Sequence, residues 1–257
     1  MKMHTNAYWR VARSLGRVLP RVAAFWLSMA FAHAEVPIRI QVHGDVPIED
    51  VAVIESGLKA RLSEVIERML DEQPAQTVTL QLWHDQEQFL SAMEQALGQR
   101  TPGSRGYITG PTDVRMLVTT RGDITLEAVH ETVHALSLQL NPSFGNNPRW
   151  LWESVAQYYA GALVHPIDSG LVTHSQCVTL EMLNEPFNRG GSVYDAGFLI
   201  GEFVVAEWGN AGLIDLIKSN GDVHRTFDIS PVLFEQQWCE FVRRKYLPTN
   251  NPEQVNE

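Results

Sequence analysis

Apolar and polar residues follow two rhythms along the chain, and the change between them falls near residue 120. Residues 36–42 read Val-Pro-Ile-Arg-Ile-Gln-Val and 77–83 read Thr-Val-Thr-Leu-Gln-Leu-Trp. Alternation with period two predicts strands with one buried face. Between them, 48–70 carries apolar residues at helical spacing and predicts a long helix that ends before Pro74. Segment 85–97 predicts a short amphipathic helix stopped by Gly98, and the polar run 99–104 predicts a loop. Strands are predicted at 106–109 and 114–119, separated by Gly110-Pro111 turn chemistry. From Asp123, a suitable N-cap, the pattern is helical: 124–139, 149–164, 193–208, 210–219 and 231–246. Strands first and helices after predict an α+β domain. Phe198, Phe203, Trp208, Trp238 and Phe241 fall on the helical patterns and are read as core.

Composition adds little to the fold and more to the setting. A chain of 257 residues, 44% hydrophobic, has enough apolar side chain for a sizeable core. Its net charge of −10 is unevenly spread, because residues 1–34 hold five basic residues and no acid. The remainder has 15 basic against 30 acidic residues, which argues against nucleic acid or an anionic membrane surface as a partner. The basic start leads into a short apolar run and closes on Ala32-His33-Ala34, the form of a secretory signal peptide cut after Ala34. An uncleaved anchor or a buried N-terminal helix is the competing reading. The expectation is therefore a signal at 1–34, a single domain at 35–247 and a frayed polar tail at 248–257. The product would be periplasmic or secreted, with no stable membrane anchor after cleavage. Cys177 and Cys239 both lie in the exported part. An oxidising compartment permits a disulfide between them, and two separate buried thiols fit the pattern equally well.

The chemistry is concentrated at His130-Glu131-Thr132-Val133-His134. Residues four apart on a helix share a face, so the two imidazoles can reach one metal ion while Glu131 sits beside them as a base for water. A catalytic zinc site needs a third protein ligand and an open fourth position. Separated from His134 by eighteen residues, Glu153 stands among Trp150, Leu151, Val155 and Tyr158. A carboxylate in such company is costly unless it is paired or bound to a cation. The loop 141–147, with Pro142 and Gly145, is long enough to turn one helix back against the other.

Glu153 within Trp-Leu-Trp-Glu-Ser, followed by the pair Tyr158-Tyr159, completes a pattern that resembles the gluzincin metallopeptidases. Among them it is most similar to the small peptidase MA-like domains. The resemblance spans 105–246 and is densest over 127–163. It implies a zincin-like α+β fold, with a small mixed sheet and an active-site helix followed by a helical lobe. It also implies one zinc per chain on His130, His134 and Glu153, Glu131 as general base, and a peptide or protein substrate. The segment Val193-Tyr194-Asp195-Ala196-Gly197 resembles the Tyr-x-x-Gly that supplies an oxyanion-stabilising phenol in aminopeptidase-like members, which makes Tyr194 the candidate and His224 the runner-up. The Gly-x-Met-Glu-Asn segment that holds a free amine in those members is absent, and the strand at 114–120 takes its place as a possible partner for an extended peptide. That substitution favours an endopeptidase over an aminopeptidase. Gln157, one turn after Glu153, replaces the acid that many relatives carry there, and is expected to accept from an imidazole N–H. A zinc-binding but catalytically weak module, used as a binding platform, is the alternative from a different class, and the intact Glu131 argues against it.

Overall fold

A computed structural model of the chain describes residues 37–70, 75–119, 122–173, 175–185 and 193–247. The expected signal peptide and the polar tail lie outside the described residues. In chain order the elements are β1 (Ile38–His43), α1 (Ile48–Leu70), β2 (Val78–Trp83), α2 (Gln86–Leu97), β3 (Gly106–Gly110), β4 (Asp113–Leu117), α3 (Ile124–Leu140), α4 (Arg149–Ala160), α5 (Pro166–Ser169), α6 (Leu180–Asn184), α7 (Val193–Lys218), α8 (Val223–Phe227) and α9 (Pro231–Tyr246). The α+β class follows the predicted order, with a small mixed sheet, interleaved with α1 and α2, preceding α3–α9.

The sheet order is β1-β2-β4-β3, with β1 and β4 both parallel to β2 and β3 antiparallel to β4. This corrects the expectation that 114–120 offers itself to a peptide: β4 is an interior strand, with both neighbours already paired. The reason lies in its side chains, since Val114, Met116 and Leu117 are buried, on both faces of the sheet. A strand that is apolar on both faces belongs inside a sheet. β3, with Gly106, Thr109 and Gly110, is the short edge strand next to it.

Local chemistry explains most element ends. Asp85 caps α2 by accepting from Gln88 N at 2.8 Å, and Gly98 closes it at φ 70°. Asp123 does the same for α3, accepting from Thr125 N and Leu126 N at 3.0 Å each. The helix predicted to run to 164 stops at Ala160 because Gly161 adopts φ 74° and turns its N–H back onto the last carbonyls. Gly209 breaks α7 into the two predicted segments, with φ 70° and ψ 179°. The short helices α5, α6 and α8 were not predicted, although His165, Thr179 and Asp222 each cap one.

One apolar core runs through α1, the inner face of the sheet and α3, and continues into the helical part through α4, α7 and α9. Phe203, Trp238 and Phe241 are buried in it as expected, with Phe198 and Trp208 packed partly buried against it. A second cluster, made by Trp83, Phe89, Leu90, Met93, Tyr107 and Leu117, fixes α2 on the outer face of the sheet. Cys177 and Cys239 form a disulfide that ties the segment before α6 to α9. Among the described residues, no helix is long and apolar enough to cross a membrane.

Candidate metal centre

The centre lies where α3 and α4 pack against each other, and each helix is held there by contacts outside itself. α3 is braced by α1 and the sheet on one side, which leaves the face with His130 and His134 toward α4. Pro148, at the N-cap of α4, makes no side-chain cap. Asn184 of α6 substitutes for it, its Oδ1 accepting from Trp150 N at 3.1 Å. Asn141 pins the loop between the two helices, donating from Nδ2 to the carbonyl of Ile217 at 2.8 Å.

Three ligand-type atoms converge. His130 Nε2 lies 3.1 Å from His134 Nε2, and Glu153 Oε2 lies 3.3 Å from the first and 3.6 Å from the second. Ligand atoms of a tetrahedral ion with bonds of about 2.0–2.1 Å stand about 3.4 Å apart. The triangle therefore has the size of one face of such a coordination shell. All three residues are buried, with Glu153 only 5% exposed, and Glu153 Oε2 makes no well-aligned hydrogen bond. A covered carboxylate oxygen facing two imidazole nitrogens is a donor set compatible with a metal ion. No other group of this kind occurs among the described residues.

The electrostatics agree with a site built for positive charge. Burial works to raise the Glu153 carboxyl, yet the two imidazoles outweigh it and hold its pKa well below the usual range. Burial works to lower His130, and Glu153 and Glu131 more than offset it, so its pKa rises. His134 goes the other way, pushed down to about 4 chiefly by loss of hydration. A buried carboxylate facing two imidazoles leaves a place that a cation could fill.

Glu131 lies next to the triangle on α3, against the first residue of β3. A Cβ built on Gly106 would overlap the Glu131 carboxyl, so this glycine is what lets strand and side chain come together. Loss of hydration pushes the Glu131 carboxyl up to about 7. One turn back, Glu127 Oε1 pairs with Arg105 Nη1 at 2.6 Å and ties the approach to β3 onto α3.

Tyr194, at the start of α7, completes the cluster. Its hydroxyl donates to Glu153 Oε1 at 3.4 Å, and its ring lies 6.2 Å from that of His130. The Arg149 guanidinium stands 5.5 Å from the Tyr194 ring centre. Burial pushes the phenol up, so it remains a protonated donor. His224, by contrast, is exposed on α8, which packs on α7 and α9. Gln157 departs from its expected part: it is buried, its Oε1 has no hydrogen-bond partner, and its stem lies under Gly197 of α7. It packs the two helices instead of orienting an imidazole.

Sequence reasoning missed Gly106, Arg149, Asn184 and the aim of Trp152. Glu127 was within reach, since it repeats the spacing of Glu131 one turn earlier. Asn184 left no signal, being a lone polar residue 34 positions from the amide it caps. Scanned against protein-family models and against curated proteins, the chain finds no match in either.

Proposed function

We propose that the chain is an exported zinc-dependent peptidase of gluzincin type that hydrolyses peptide bonds within a chain. The observation that carries the reading is the buried triangle of His130, His134 and Glu153 with Glu131 beside it. Two imidazoles and one carboxylate suit zinc better than copper or an iron–sulfur cluster. Zinc, when bound, supplies a Lewis acid that polarises a carbonyl and brings the pKa of water toward neutrality.

The remaining steps belong to the protein. Glu131 takes a proton from the attacking water and returns it to the departing amine. Beside a dication its carboxyl loses the upward shift that burial imposes and becomes the ionised base this step requires. Tyr194 donates to the carbonyl oxygen as negative charge builds there, and its long contact with Glu153 is easily exchanged for that stronger bond. β3, the edge strand that runs past Glu131, offers main-chain groups to an extended substrate. An open strand of this kind, with no amine-binding segment, favours cleavage inside a chain. Export through 1–34, with a cut after Ala34, is part of the same proposal.

The test is metal analysis joined to a peptide-library digest, with and without chelator. Wild-type protein is expected to hold one zinc and to cleave. Glu131→Gln is expected to keep the zinc and lose at least about 10²-fold in rate. Zinc content unchanged in both His134→Ala and Glu153→Ala would overturn the site, and normal cleavage by Glu131→Gln would overturn the mechanism.

A further inference from the structure

A histidine that ligates a metal through one ring nitrogen is usually oriented by a hydrogen bond from the other. His134 departs from that arrangement. Its Nε2 faces His130 and Glu153, while its Nδ1 is covered and has no hydrogen-bond partner among the described residues. What touches the ring instead is an indole. Trp152 lies flat on the His134 imidazole, ring centres 4.2 Å apart and planes 4° from parallel. The indole is itself immobilised: it is 8% exposed, and fully buried Phe144 packs against it at 5.4 Å.

We propose that Trp152 is the positioning residue of His134, its π-face holding the imidazole toward the metal where a hydrogen bond to Nδ1 would ordinarily do so. Rotation about the Cβ–Cγ bond would drive the imidazole edge through the indole, so the stack holds the plane of the ring. Ligation also draws electron density out of the ring, and a ring that gains positive character is attracted to an aromatic face. The contact therefore strengthens when the metal binds. It also links the two ligand helices through a single register, because Trp152 immediately precedes Glu153 on α4. An α4 position that presents the carboxylate presents the brace as well.

The inference rests on the metal reading above, and its test separates the two. Zinc affinity is measured by competition with a chelator, and ligand geometry by the visible absorption of the cobalt-substituted protein. Trp152→Leu keeps an apolar side chain and removes the flat face. It is expected to weaken zinc binding about 10–100-fold, the usual effect of losing the group that orients a ligand, and to alter the cobalt bands. Trp152→Phe restores a face and should restore most of both signals. If Trp152→Leu does not fold, Trp152→Met makes the same comparison with an unbranched chain that adapts to the space left. Trp150→Leu is the control: it empties a similar buried volume on the same helix, against Phe234 and away from His134. That variant should melt earlier yet keep zinc affinity and cobalt spectrum. Wild-type affinity in Trp152→Leu, or equal weakening in Trp150→Leu, overturns the proposal. Wild-type protein that takes up no zinc overturns the metal reading itself, and the brace with it.

Discussion

Gly106 allows the placement of Glu131 to be tested without touching Glu131. The three atoms that a Cβ at position 106 would strike are all in the Glu131 side chain: Oε1, Cδ and Cγ. Alanine fits the backbone there, since Gly106 is not among the glycines with positive φ. The methyl is therefore accommodated only if the carboxylate swings away or the strand lifts. Overpacking a buried contact costs about 1–3 kcal/mol. The displaced atoms, Cγ to Oε1, belong to a side chain and not to backbone, which puts the cost near the lower figure. Restricting the unfolded chain gives back about 0.4–1 kcal/mol. Net stability should barely move. Activity should fall far more, because a base displaced by about 1 Å loses on the order of 10²-fold in rate. Gly106→Ala is thus expected to melt within a few degrees of wild type, to keep its zinc, and to cleave peptides about 10²-fold more slowly. Gly110→Ala supplies the comparison, at the far end of the same strand, where a Cβ meets nothing within 4 Å. It should leave the rate unchanged. Wild-type cleavage by Gly106→Ala, or an equal loss in Gly110→Ala, would refute the assigned position of Glu131.

Acid stability of the metal-free protein offers a second test. His134, lowered to about 4, refuses a proton that the unfolded chain accepts below about 6.5, so its share of stability falls as pH drops through that window. Glu131, raised to about 7, holds a proton that the unfolded chain releases above about 4.5, so its share falls as pH rises. The two slopes oppose each other between pH 4.5 and 6.5, each worth about 3 kcal/mol over its full window. Glu131→Gln, unfolded by urea in chelator, should therefore lose stability on acidification more steeply than wild type; parallel profiles would count against the upward shift of Glu131. Tyr194→Phe should keep fold and zinc and lose about 10²–10³-fold in kcat, with KM little changed. His224→Ala should do much less, and the reverse order would move the oxyanion role to His224. Cys239→Ser should lower unfolding free energy by about 4 kcal/mol, the loop-closure value for a separation of 62 residues, and an unchanged urea midpoint would show that the crosslink constrains little.

What the sequence made legible was what adjacent residues decide. α1 runs over the predicted 48–70, and α9 over 231–246, because helical period and caps are written within each segment. His130 and His134 share a face by spacing alone, and a loop of fixed length returns Glu153 to them. The order of the strands was not legible. Period and composition announced β4 as a strand, but its place between β2 and β3 follows from how the whole sheet is covered. Trp152 shows the same limit at the site. Its position in an apolar helix was evident, and its contact with His134 depends on the angle at which α4 crosses α3. Asn184 depends on α6, a helix of five residues too short to show any period.

Tyr194 reaches the centre because α7 and α4 approach each other unusually closely, and small residues create that approach. Gly197, one turn after Tyr194, faces Ser154, whose backbone Cα would stand 3.2 Å from a Cβ placed there; the Gln157 side chain would stand 3.0 Å away. Gly201, one turn further, faces the Ser154 carbonyl and the root of Tyr158. Ser154 needs no partner from α7, since its hydroxyl donates to the Trp150 carbonyl within its own helix. Ser154 therefore adds no unpaired hydroxyl to the seam, where Gln157 Oε1 is the buried polar atom left without a partner. A larger side chain at 197 would meet backbone that cannot rotate away, so the helices would have to part. The hydroxyl of Tyr194 already stands at 3.4 Å from Glu153, the outer limit of a hydrogen bond, and any parting breaks the contact. The phenol is thus aimed by glycines that pack against Ser154, Gln157 and Tyr158. A centre built this way keeps its geometry in the register of packed helices, where each side chain's position is inherited from its neighbour's backbone.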